Sequence, residues 1–169
     1  AAALAAVHLS VEVTQNRHRE ITGVHAGVPA LAHEAGCAAA RDAVMHPVAA
    51  PYDIVVTTNG GYPLDQNLYQ TVKGMSAAAQ IVKAGGAILV AAECSDGFPD
   101  HGMYRATLAA YPGPAEFLAA VPGLAPAPDL WQVLVQARVQ AQARVLLHTG
   151  GLSDAAVREA WLEAVPDVT

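Results

Sequence analysis

Residues 53–75 read DIVVTTNGGYPLDQNLYQTVKGM. Asp53-Ile54-Val55-Val56-Thr57 is a short, nearly continuous apolar run, the pattern of a strand buried on both faces. Thr58-Asn59-Gly60-Gly61-Tyr62-Pro63 ends it with turn residues. A helix is predicted from about Asp65 to Lys83, with Gly85-Gly86 as its stop. The same grammar recurs downstream. Ala87 to Ala92 is a second apolar run, ending in Glu93-Cys94-Ser95-Asp96-Gly97. Ala143 to His148 is a third, ending in Thr149-Gly150-Gly151. Ser153-Asp154 then cap a last helix predicted to reach about Val165. Strand, glycine-bearing loop and helix in repetition predict an α/β fold with a mostly parallel sheet flanked by helices.

Upstream, Val7, Leu9, Val11 and Val13 alternate with His8, Ser10 and Glu12, and Ile21 and Val24 return after a polar Gln15–Glu20 turn. This predicts an N-terminal β-hairpin. Pro29 suits the first turn of an Ala-rich helix running to Val44. The Pro-rich stretch from Tyr111 to Pro128 reads as an irregular surface excursion, followed by a helix from about Asp129 to Gln142. The span 1–169 is read as one α/β domain. The start, Ala1-Ala2-Ala3-Leu4, and the end, Asp167-Val168-Thr169, read most simply as those of a fragment of a longer, two-domain protein.

Composition narrows the function classes. The 169 residues are 53% hydrophobic and 14% charged, with a net charge of −6, too apolar and too weakly charged for a disordered chain. The acidic balance argues against a nucleic-acid binder, which needs a phosphate-facing basic patch. No run approaches the ~20 apolar residues of a membrane span. Two cysteines, Cys37 and Cys94, make no disulfide framework, so a reducing cytoplasm is the expected setting. Only Lys73 and Lys83 are lysines among nine basic residues, which makes each worth explaining.

In an α/β sheet, ligands bind beyond the carboxyl ends of the strands. The three glycine-bearing loops should share that edge. Gly60-Gly61 allows close backbone approach to a ligand, and the helix after it is expected to present free N–H groups to an anion. Asn59, Gly60 and Gly61 are therefore candidate cofactor contacts. Gln66, Tyr69, Gln70 and Lys73 fall three and four apart on one helix face. An ammonium, an amide and a phenol together suit a carboxylate. A polar helix face is also what plain solvation produces, so the pattern leaves both readings open. His33 and Cys37 have ligand spacing, but no second pair completes a metal site. His148 ends a strand at the presumed ligand edge, and Trp161 reads as core packing.

The string TTNGGYPLDQNLYQTVKGM, with KAGGAILVAAECSDG after it and REITGVHAGVPALAHEAGC before it, resembles the C-terminal domain of the nickel-pincer lactate racemase family. The resemblance runs from about Val7 to Ala164. It implies two-domain enzymes that racemise or epimerise small 2-hydroxy acids by hydride abstraction and return. In that family an N-terminal domain holds a nickel-pincer nucleotide together with the acid–base histidines. Carried over by residue, the substrate contacts fall on Gln70 and Lys73, with Tyr69 adjacent and a pocket tryptophan at Trp131. The resemblance implies no catalytic residue and no metal ligand in this chain, and it implies that the domain is inactive alone. Asp96-Gly97-Phe98-Pro99 departs from the family's Asp-Gly-His-Gly loop. Two other classes fit the residues: a non-enzymatic module for a small carboxylate or nucleotide, and a structural or oligomerisation domain.

Overall fold

The computed structural model describes residues 6–166; the Ala1–Leu4 start and the Asp167–Thr169 end lie outside the described residues. The chain forms two compact units, 1–48 and 49–169.

The first unit is a hairpin and a helix. Strands β1 (Ser10–Gln15) and β2 (Ile21–Gly27) pair antiparallel. Asn16 sets the turn: its Oδ1 accepts from the His18 and Glu20 backbone N–H groups at 2.9 and 3.1 Å. Helix α1 (Pro29–Val44) carries Pro29 in its first turn, where a missing N–H costs nothing. Its buried positions are Ala32 and Gly36, one turn apart. A side-chain carbon at Gly36 would lie 3.4 Å from Glu12 Oε2, so the helix approaches the hairpin closely there. The hairpin is inverted relative to the usual amphipathic strand. Ser10, Glu12, Thr14 and His25 are the more buried side, whereas Val11 and Val24 are 61% and 62% exposed.

The second unit holds a four-stranded parallel sheet of β3 (Tyr52–Thr58), β4 (Val82–Ala91), β5 (Arg144–His148) and β6 (Glu163–Ala164), in that spatial order. The helices are α2 (Leu68–Ala78), α3 (Tyr104–Ala109), α4 (Pro114–Ala120), α5 (Leu130–Gln142) and α6 (Asp154–Glu159). The strands follow one another in chain order, so every right-handed crossover runs in the same direction and deposits its helix on the same face. Val55, Ile88, Val90, Val145 and Leu147 accordingly lie in one core with Leu68, Val72, Met75, Val133 and Ala137 of α2 and α5. The alternate residues of β3 lie on the other face, and Ile54 and Val56 are 65% and 68% exposed. The expectation that this strand is buried on both faces is therefore corrected: its apolar run reflects strand propensity, and the helices of this unit pack on the Val55 side.

Three further corrections concern boundaries. Helix α2 spans Leu68–Ala78, shorter at both ends than the predicted Asp65–Lys83. Asn67 caps it by accepting from the Gln70 N–H at 3.1 Å. Gly85-Gly86 does not stop a helix; it lies inside β4, where the register with β3 shifts. A side-chain carbon at Gly86 would sit 2.7 Å from the Asp53 carbonyl, so these glycines mark a bulge with close backbone approach. The last helix ends at Glu159 rather than near Val165, and the chain returns as β6. Trp161 takes φ +62° and Leu162 N–H donates to the Val157 carbonyl at 3.2 Å, a left-handed helix end built without glycine. The Trp161 indole holds that turn by donating to the Tyr111 carbonyl at 3.1 Å, with its ring 6.0 Å from Phe117. The Tyr111–Pro128 stretch is more regular than expected, since it contains α4 and a 3₁₀ turn at Val121–Gly123.

Helix α5 binds the unit together with glutamines at every fourth position. Gln132 Nε2 donates to the Tyr69 carbonyl at 2.6 Å. Gln136 Nε2 donates to the Ala160 carbonyl at 2.7 Å, while its Oε1 accepts from the Tyr104 hydroxyl. Gln140 reaches the Trp161 carbonyl. Gln132 and Gln136 are buried, so each amide satisfies backbone groups that no water reaches. Replacing Gln136 with leucine keeps the volume and strands a phenol and a carbonyl. Urea denaturation is expected to show a loss of at least ~2 kcal/mol for Gln136→Leu, from roughly 1–3 kcal/mol per buried unsatisfied group. Wild-type stability would refute this role.

Candidate functional site

The parallel sheet brings the three loops after β3, β4 and β5 to one edge, as expected. They are tied to each other by hydrogen bonds. Asp65, 6% exposed, accepts from the Glu93 N–H through Oδ2 at 3.1 Å, and its carbonyl accepts from the Cys94 N–H at 2.9 Å. The Glu93 carbonyl in turn accepts from Thr149 Oγ1 at 2.7 Å and from the Gly151 N–H at 2.8 Å. Gly97 O accepts from the Leu68 N–H at 2.9 Å, which fixes the start of α2 against the Asp96-Gly97-Phe98-Pro99 loop. Phe98 of that loop packs 6.4 Å from Tyr104, under the Arg105 guanidinium at 4.7 Å.

The first turns of α2 and α5 then bring the four predicted substrate contacts into two adjoining pairs. Lys73 Nζ donates to Gln70 Oε1 at 2.5 Å. The Tyr69 ring meets Trp131 edge to face, with centroids 6.0 Å apart at 86°. Tyr69 also meets Tyr104 edge to face at 5.5 Å, which carries the aromatic chain into the core. Tyr69 is half-buried, whereas Trp131 is 57% exposed at the start of α5. Burial, and secondarily the charge of Asp129, hold the Tyr69 phenol above its ordinary range, so at neutral pH it is a hydrogen-bond donor. Lys73 is exposed and makes no ion pair among the described residues. Lys83, the other lysine, is paired with Asp53 at 2.7 Å at the opposite end of β3, and that pairing holds the Asp53 carboxyl below its usual range.

A small pocket of about 150 Å³ adjoins this face. Gln66, Tyr69, Gln70, Pro99, His101 and Asp129 line it, together with Asn67. His101 and Asp129 were not singled out from the sequence. Asp129 is held against Gly102: a side-chain carbon there would collide with the Asp129 carboxylate, which accepts from the Met103 N–H at 2.8 Å. Lys73 and Trp131 stand outside this pocket's wall.

The candidate cofactor contacts have structural partners of their own. Asn59 Nδ2 donates to the Gln70 carbonyl at 2.9 Å and to the Leu64 carbonyl, which spends both of its amide hydrogens. Gly60 and Gly61 take φ of +84° and +78°, so glycine is required there by the turn itself. The expectation of free N–H groups at the start of α2 is narrowed to Tyr69, because the Leu68 and Gln70 N–H groups donate within the chain. His148 ends β5 half-buried, with its Nδ1 3.1 Å from the Val165 carbonyl.

Comparison with known proteins places this arrangement. The family model described as the lactate racemase C-terminal domain matches residues 48–169. Lactate racemase of Lactiplantibacillus plantarum is 38% identical over 149 residues, covering 86% of this chain and 35% of that protein. Lactate racemase of Thermoanaerobacterium thermosaccharolyticum is 33% identical over 161 residues, covering 94% of this chain and 37% of that protein. The structure of the latter's apoprotein superposes with a TM-score of 0.85 at 32% identity, over 99% of this chain and 40% of that one. The chain thus spans little more than a third of the length of these curated relatives.

One consequence of the local packing is open to test. A side-chain carbon at Gly74 would lie 2.9 Å from the Thr58 carbonyl and 3.2 Å from Asn59 Oδ1. In an ordinary helix Gly→Ala gains up to ~1 kcal/mol. Here overpacking of roughly 1–3 kcal/mol opposes that gain, so Gly74→Ala is expected to lower the denaturation midpoint. A raised midpoint would mean that α2 does not press on the Asn59 turn.

Proposed function

The chain belongs to the family of lactate racemase C-terminal domains, and from that premise we propose that it is the substrate-contacting domain of a 2-hydroxyacid racemase or epimerase. The observation that carries this reading is Lys73, an exposed cation with no carboxylate partner among the described residues, set beside the Gln70 amide at 2.5 Å. A substrate carboxylate would accept from the Lys73 ammonium and from Gln70 Nε2, a charge-assisted pair of contacts. Tyr69, protonated and half-buried, offers a third donor on an apolar ring, and Trp131 beside it supplies an apolar wall. Two-point capture of the carboxylate, with Tyr69 and Trp131 against the rest of the molecule, would restrict the direction of the substrate's α C–H bond, and that orientation is this domain's share of the rate.

The reaction itself belongs to the rest of the protein in this reading. The resemblance implies a nickel-pincer nucleotide and acid–base histidines on an N-terminal partner domain. Bound there, the cofactor would supply a hydride acceptor for the substrate's α-carbon. Among the described residues no group of three His, Cys, Asp or Glu side chains is placed to hold a metal ion. The part proposed for this chain's residues is to bind and orient. The domain alone is proposed to be inactive, since one wall of the cleft would be missing. A cytoplasmic setting suits the two free cysteines. No helix among the described residues is long and apolar enough to cross a membrane.

The test uses the full-length protein loaded with its cofactor, with enantiomer interconversion followed by chiral chromatography over a panel of 2-hydroxy acids. Lys73→Ala is expected to lower kcat/KM by about 100-fold or more, equivalent to about 3 kcal/mol of transition-state stabilisation. Gln70→Ala is expected to lower it by about tenfold, the scale of one hydrogen bond to a charged group. Racemisation that survives both substitutions would overturn the site assignment. Turnover by the 169-residue chain alone would overturn the division of labour between domains.

A further inference from the structure

The inverted hairpin of the first unit places a second set of reactive groups together. Glu12, on the more buried side of β1, accepts from His33 of α1, with Oε2 and Nδ1 3.1 Å apart. The other ring nitrogen of His33, Nε2, lies 3.4 Å from Cys37 Sγ, one helical turn further on. Carboxylate on Nδ1 and thiol on Nε2 select one tautomer: Nδ1–H donates to Glu12, which leaves Nε2 to accept the thiol proton. That is the arrangement of a nucleophile, its base and the group that orients the base. Cys37 is exposed, so an incoming molecule can reach the sulfur.

A groove of about 580 Å³ adjoins Glu12 and His33, and Cys37 lies one helical turn beyond its His33 wall. Val7, Val28, Pro29 and Ala30 give it apolar walls, and Ser10, Glu12 and His33 complete the lining. The base of the relay is thus also part of a cavity suited to an apolar body.

We propose that Cys37 is a nucleophilic thiol, with His33 as its base and Glu12 as the positioning residue, which adds to Michael acceptors carrying an apolar substituent. In the addition, Cys37 Sγ forms a bond to the β-carbon of the α,β-unsaturated carbonyl. The C=C π pair moves onto the carbonyl as an enolate. The thiol proton passes to His33 Nε2 and then to the α-carbon. Nothing leaves, and no oxidant or reductant is needed. The apolar substituent lies in the groove. Cys94 is the internal contrast, because it is fully buried and burial pushes its thiol up.

Labelling rates of the native full chain with N-ethylmaleimide and N-hexylmaleimide, resolved by peptide mass spectrometry, test this. Cys37 is expected to label while Cys94 does not. His33→Gln, which keeps size and polarity, should slow Cys37 about 100-fold, the lower end of general-base assistance, and Glu12→Gln should slow it by a smaller factor. The hexyl reagent should outpace the ethyl reagent at Cys37 by about threefold relative to the same pair on glutathione, and Val28→Asp should remove that preference. Circular dichroism verifies that each variant is folded, and a variant that fails this check is replaced by His33→Ala or Val28→Ser. Labelling of folded His33 variants at the wild-type rate would overturn the relay. Labelling of Cys94 as fast as Cys37 would overturn the selectivity, and equal relative rates for the two reagents would overturn the groove.

Discussion

Parallel strands laid down in chain order impose a constraint on everything else in the larger unit. With β3, β4, β5 and β6 adjacent in that order, the crossovers never reverse direction. Right-handed connections then stack all the helices on one face. That single-sided packing puts α2 and α5 side by side over Val55, Ile88, Val90 and Val145. It also leaves Ile54 and Val56 on an open face. The candidate site follows from the same constraint. The first turns of α2 and α5 meet above the carboxyl ends of the strands, and Tyr69 and Trp131 touch there because their helices do.

Local hydrogen bonds convert this layout into a fixed constellation. Asp65 and the Glu93 carbonyl tie the three loops together, and Asn59 holds the backbone of Gln70. Gln132 reaches the carbonyl of Tyr69 from the neighbouring helix. Two of the residues proposed to contact substrate, Tyr69 and Gln70, are therefore held by their backbones, while their side chains remain available. Lys73, one turn further, is held only by its contact with Gln70.

Much of this was legible in the residues. The alternation of apolar run and glycine-bearing loop marked three of the four strands of the sheet, the shared loop edge and the hairpin. The spacing of Tyr69, Gln70 and Lys73 marked one helix face, and Trp131 came only from the resemblance. What escaped has physical reasons. Gly85-Gly86 can end a helix or bend a strand, and only the close approach of the Asp53 carbonyl decides between them. A helix end with Trp161 in the left-handed region breaks the expectation of glycine there, since tertiary contacts to Tyr111 and Phe117 hold it. β6 is two residues long and gives no periodic signal. Gln132, Gln136 and Gln140 look like solvated helix positions in sequence, yet the first two are buried because their amides find backbone carbonyls. The inverted hairpin is invisible to alternation, which gives a period of two but not the side that faces the helix.

The central claim is that Lys73 and Gln70 hold the substrate's carboxylate. The most direct measurement is a crystal structure of the full-length protein with a 2-hydroxy acid bound. The account predicts one carboxylate within about 3 Å of both Lys73 Nζ and Gln70 Nε2, with Tyr69 and Trp131 flanking the rest of the molecule. A 2-hydroxy acid whose carboxylate is held by other residues, with Lys73 and Gln70 turned to solvent, would contradict it.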